Sequence, residues 1–218
     1  MKGINFKEFQ YHNVIREKMT QIVRIINPQP ICLDGRSGGK YIGNPVGEKG
    51  LINPRLHVGE TVYLKEPYKL VSKIANVIKV EFEYSKEVGL FNLLDFYTEE
   101  NSINWLKKRQ KEQLKSKSGF CNKTYMPQWC ALHFIKITGV KCERLQDISE
   151  EDCRKEGVSH KLIDPADAYG NILDYFTEYG GGYSNPREAY AELIDCTCGN
   201  GTWERNPFVW RYEFELIK

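Results

Sequence analysis

No stretch of this 218-residue chain is apolar over anything near the roughly 20 residues that a membrane-spanning helix requires. The first ten residues, Met1 to Gln10, lack the apolar core of a secretory leader. No charge of one sign dominates: 31 Lys and Arg stand against 29 Asp and Glu, a formal net charge of +2. A protein that coats nucleic acid nonspecifically is usually strongly basic, so that class is disfavoured. Cys-x-x-Cys pairs are missing, and the seven cysteines are an odd number, which argues against both a structural zinc site and a disulfide framework. Internal repeats and a clean linker are missing as well. These absences lead us to expect a cytoplasmic protein with reduced thiols, no membrane contact, no metal and no cofactor, folded as a single domain over residues 1–218.

What is present is material for a core. Hydrophobic residues make up 41% of the chain and aromatic residues 12%, which argues against disorder. A chain of this length buries roughly 70% of its unfolded surface without staples. Phe6, Phe9, Val14 and Ile15 share one face of a helix predicted over Phe6 to Lys18. Ile22 to Ile26 reads as a strand, stopped by Asn27-Pro28-Gln29-Pro30. Residues 34–54 are rich in Gly, Pro and Asn and read as a long loop. Its Gly35-Arg36-Ser37-Gly38-Gly39-Lys40 is one residue short of a phosphate-cradling loop, and Tyr41 stands where Ser or Thr would hold magnesium.

Further strands are predicted over Thr61 to Lys65, Ile78 to Tyr84, Leu132 to Val140 and, most clearly, through Trp210, Tyr212, Phe214 and Leu216. A basic helix over Ile103 to Lys115 has a narrow stripe of Ile103, Leu106 and Leu114, with Lys107, Lys108, Arg109, Lys111 and Lys115 on its other faces. Ser149 opens a short helix that Gly157 stops, and Asn185-Pro186 opens another. The strands alternate in the manner of antiparallel sheets. We therefore expect an α+β fold, a curled or closed antiparallel sheet with peripheral short helices.

Several of these segments resemble the ASCH family, and among its members the longer proteins of phages and prophages. The resemblance rests on Met126-Pro127-Gln128-Trp129, on Glu143 to Asp152 with the following Glu156-Gly157, and on Val58-Gly59-Glu60 to Glu66. Trp203, Asn206-Pro207 and Val209-Trp210 through Phe214-Glu215 extend it, as do Thr20-Gln21, Arg24 and Asn27 to Pro30. Asp34–Asn53 and Gly89–Cys121 have no counterpart, so a loop insertion at 34–54 and a helical insertion at about 89–121 are expected. The family fold is a closed PUA-like β-barrel. Its members include RNA-binding modules and amidohydrolases that deacetylate 4-acetylcytidine with a Lys, a Thr and a Glu. Glu156 falls at the Glu position and Arg24 at an Arg position. Met19 stands at the Lys position and Ile22 at the second Thr position, and neither side chain can exchange a proton. Lys18, one residue away, can substitute only if the strand begins after it.

Each feature also has a structural explanation. Glu156 can be a site carboxyl or a surface partner of Lys155 or Arg154; Arg24 can bind a phosphate or tie down a turn. Trp129 is the best placed ring for base stacking, whereas Trp210 and Tyr212 belong to the core by alternation. Cys196-x-Cys198 and Cys130-x-x-His133 are poor halves of a zinc site. The leading expectation is binding of RNA or a modified nucleoside beside the barrel, at Lys18, Thr20, Arg24, Lys65 and Glu156, with Trp129 stacking. An amidohydrolase using Lys18 as base and Glu156 as acid is one alternative. A module that contacts a host or phage protein is another.

Overall fold

Alternation and capping signals become regular elements throughout residues 1–27, 29–30, 33–34, 41–42, 52–163 and 172–217, the part of the chain that the structure, a computed structural model, describes. In chain order these are β1 (Lys2–Asn5), α1 (Glu8–Ile15), β2 (Gln21–Ile25), β3 (Leu33–Asp34), β4 (Tyr41–Ile42), β5 (Thr61–Lys65), β6 (Tyr68–Ile74), β7 (Val77–Phe82) and β8 (Val88–Asn92). There follow α2 (Glu99–Lys115), β9 (Phe134–Arg144), α3 (Glu150–Lys155), β10 (Ser159–Ile163), β11 (Ile172–Phe176) and β12 (Gly181–Tyr183). The chain then forms α4 (Pro186–Cys198), α5 (Thr202–Arg205) and β13 (Phe208–Ile217). No helix among the described residues is long and apolar enough to cross a membrane.

Two compact units emerge, one from Met1–Ile15, Thr61–Ile135 and Leu216–Lys218, the other from Arg16–Glu60 and Lys136–Glu215. In the first, β1 pairs in parallel with β5, and β6, β7 and β8 form an antiparallel sheet in that order. Tyr68, Ile78, Val80, Phe82, Leu93, Leu106 and Met126 fill its core. In the second, β9, β13 and β2 lie side by side, with β13 antiparallel to β2, and β10, β11 and β12 form a separate antiparallel sheet. Trp210, Tyr212 and Phe214 of β13 are buried on the core side.

The fold is α+β, but the expected closed antiparallel barrel is not what forms among the described residues. The strands divide into separate open orders, and the β1–β5 pairing is parallel. The physical reason is that period-2 alternation reports burial of one face and carries no information about strand direction or closure.

Helix ends follow their caps. α2 starts four residues before the predicted Ile103, because Thr98 Oγ1 accepts from Asn101 N and Glu99 and Glu100 sit in the first turn. Its buried side is Ser102, Leu106 and Arg109, whereas Leu114 of the predicted stripe is 88% exposed. Residues 89–92 of the expected helical insertion belong to β8. Ser149 caps α3 as predicted, accepting from Asp152 N at 3.1 Å, and Gly157 takes a φ of 103° just beyond the helix. The motif at Gly35 to Lys40 and most of the loop at 34–54 lie outside the described residues.

Candidate functional site

In the second unit the sequence-predicted carboxylate lies at the C-cap of α3, where the chain turns inward. Glu156 is 4% exposed. Its Oε1 accepts from Gln21 Nε2 at 3.0 Å; its Oε2 accepts from Val23 N at 3.2 Å and from the Tyr190 hydroxyl at 2.9 Å. Burial pushes the carboxyl up to about 7, against the opposing pull of these three donors and of the Arg24 charge. Arg24, half-buried opposite Trp210 on β2, has its own pKa lowered by burial and pulled back up by Cys198, Glu156 and Tyr212. Gln21 is fully buried, and its Oε1 has no hydrogen-bond partner. The arrangement can hold or release one proton near neutral pH in a water-poor setting.

The other predicted residues of this unit are less engaged. Lys18 is exposed, and β2 begins after it, at Gln21. Thr20 is exposed too; its N–H donates to the Lys155 carbonyl at 3.1 Å, and its carbonyl accepts from Phe214 N at 2.9 Å. Met19 and Ile22, where the ASCH resemblance implied a Lys and a Thr, are each 1% exposed and purely apolar. Around Glu156 the structure thus gathers Arg24, Gln21 and Tyr190.

Lys65 and Trp129 belong to the first unit. The Lys65 ammonium donates to the Thr124 carbonyl at 3.1 Å. Trp129 stacks on Phe96 at 5.2 Å between centroids, meets Phe91 and Trp105 edge-on, and donates its indole N–H to the Tyr97 hydroxyl at 3.1 Å. One face and the N–H of this ring are therefore already used.

An open cleft of about 600 Å³ lies elsewhere in the same unit. Lys115 at the end of α2, Phe120 and Lys123 beyond it, Tyr125, and Tyr84 after β7 line it, together with Glu83 and Glu112. Gln113 sets the pose of α2 against β6, donating to the Leu70 carbonyl and accepting from Leu70 N at 2.9 Å. Cys121 and Tyr68 exchange backbone hydrogen bonds, which ties the far wall to the same strand. Lys123 is oriented by the Phe6 carbonyl and, at 3.3 Å, by the Tyr84 hydroxyl.

Tyr84 is itself positioned by a fully buried carboxylate. Glu66 accepts from Tyr84 N at 3.0 Å, from Ser85 N at 2.8 Å, from Ser85 Oγ at 3.1 Å and from the Tyr11 hydroxyl at 2.5 Å. Tyr11 in turn lies 2.9 Å from His133 Nδ1. In the sequence the basic helix around Lys107 to Lys117, with Lys123 nearby, already offers a contact for a phosphate backbone, whereas the buried Glu66 network and the cleft as a whole are not apparent there. Two signals of burial are present all the same: Glu66 continues the Val62, Leu64 alternation inward, and Arg109 follows Ser102 and Leu106 at helical spacing.

Among the described residues no group of three or more His, Cys, Asp or Glu is placed to hold a metal ion. Comparison of the chain with protein-family models, with curated proteins and with solved structures finds no match.

Proposed function

We propose that the protein binds RNA or a nucleotide, and that the cleft of the first unit is where it does so. The observation that carries this reading is the lining: two lysines, Lys115 and Lys123, interleaved with the rings of Tyr84, Phe120 and Tyr125. Ammonium groups neutralise phosphates, and aromatic faces stack on bases at about 1–3 kcal/mol each without regard to sequence. A volume of about 600 Å³ suits one or two nucleotides. The resemblance of the Met126 to Trp129 and Glu143 to Gly157 segments to a family that includes RNA-binding modules supports the same reading.

The amidohydrolase reading has less support. Glu156 is buried and shared among three donors, Met19 is buried and apolar, and Lys18 is exposed. A host or phage protein as partner is the competing reading. Filter binding of a short single-stranded RNA at low salt separates them. Wild type is expected to retain the RNA, and Lys115→Glu, an exposed change that reverses one wall charge, to weaken retention about tenfold or more. No retention by the wild-type protein would overturn the proposal.

A further inference from the structure

Arg109 lies behind the wall of this cleft, with 4% of its surface exposed. Its contacts are wall residues: Glu112 Oε2 is 2.8 Å from its Nη1, the Tyr125 ring centroid is 5.0 Å from its guanidinium carbon, and its carbonyl accepts from the Cys121 thiol at 3.4 Å. The Tyr68 hydroxyl oxygen accepts a further hydrogen bond from the guanidinium. Nevertheless Arg109 Nε, Arg109 Nη1 and Glu112 Oε2 complete no hydrogen bond. A guanidinium offers donors in a planar fork that an oxyanion fills two at a time. Glu112 therefore neutralises Arg109 as a charge 2.8 Å from Nη1, while Nε and Nη1 complete no hydrogen bond. Glu112 also differs from Arg109 in reach, being 30% exposed and part of the cleft wall.

We propose that the cleft is specific for a terminal phosphate, at the end of an RNA or on a free nucleotide, and that Glu112 yields Arg109 to it. This rests on the nucleic-acid reading above. An internal phosphodiester carries a single charge, so in front of Arg109 it only exchanges one monoanion for another. A phosphomonoester carries nearly two charges at neutral pH and three acceptor oxygens, so it outcompetes a carboxylate for the same fork while Lys115 and Lys123 share the excess. The carbonyls of Glu112 and Gln113 at the end of α2 are both bonded by Ser116 N at 3.1 Å, so they do not face the ligand unpaired. Glu83, the second acid of the wall, repels every added phosphate, which favours one dianion over a long backbone.

The test compares one tetranucleotide RNA bearing a 5′-phosphate with the same RNA bearing a 5′-hydroxyl, by equilibrium binding at fixed salt. A nucleoside 5′-monophosphate serves as competitor. The phosphorylated RNA is expected to bind about tenfold more tightly or better. Glu112→Gln, which removes the competing charge, is expected to enlarge that ratio, and a gain of affinity does not arise from misfolding. Arg109→Lys, which keeps the charge and removes the fork, is expected to bring the ratio of the two affinities close to one. Competition by the monophosphate at similar concentration identifies a free nucleotide as the ligand, and weak competition identifies an RNA end. Equal affinity for the two RNAs, or a ratio unchanged in Glu112→Gln, overturns the terminal-phosphate proposal and leaves RNA binding standing. Binding of neither RNA removes both.

Discussion

Glu156 has three donors that favour its charge, and one of them, the buried amide of Gln21, leaves its own oxygen idle. Its carboxyl holds a proton up to about pH 7, against an ordinary value of 4.5. The folded protein thus binds that proton more tightly than the unfolded chain does. The resulting stabilisation is full below pH 4.5 and is lost as pH rises to about 7, amounting to roughly 3 kcal/mol across that window. Urea unfolding at pH 5 and pH 7.5 is expected to show wild type losing stability relative to Glu156→Gln, in which the new amide can donate to the idle Gln21 oxygen after rotation of that side chain. A difference independent of pH would rule out this titration. The residue scale is also where sequence reading did least well. A lone Glu or Arg is read as surface until its parity with apolar neighbours is checked, as Glu66 with Val62 and Leu64, or Arg109 with Leu106, makes plain.

Elements were far more legible, because their signals are local. Thr61–Lys65 was predicted to the residue, and Asn185-Pro186 and Ser149 cap the helices assigned to them. Pairing was not legible: that β1 runs parallel to β5 depends on contacts between residues sixty apart in the chain, which no local period encodes. The contact of α2 with β6 belongs to the same class. Gln113 satisfies both backbone groups of Leu70, so Gln113→Ala leaves a donor and an acceptor of the strand without that partner. Chemical denaturation is expected to show a loss of about 1–3 kcal/mol, with faster hydrogen exchange at the Leu70 amide. An unchanged exchange rate would mean that the amide pair contributes nothing.

At the scale of the whole molecule, the near-zero balance of charge constrains the nucleic-acid binding proposed above. With a net charge of +2, binding must come from one local group of cations rather than from a general field. A contact at one to three phosphates gives a log–log salt slope between about −0.7 and −2 on single-stranded RNA, and a measured slope much steeper than −2 would contradict a cleft-sized contact. The cleft proposed for the ligand is assembled from segments that no sequence window contains together. The Gln113 clamp has one more consequence, for behaviour in concentrated solution. A sheet with one vacant rim can recruit a single neighbour and then stops, whereas two vacant rims let chains add without end. The side-chain amide at Leu70 and the Tyr68–Cys121 exchange occupy the start of the β6 rim, and Lys69 and Lys73 lend that strand charge; β8, with Val88 and Leu90 exposed, has β7 alone beside it among the described residues. One glutamine on a helix thereby helps to set whether self-association of this sheet would end at a pair or grow into a fibre.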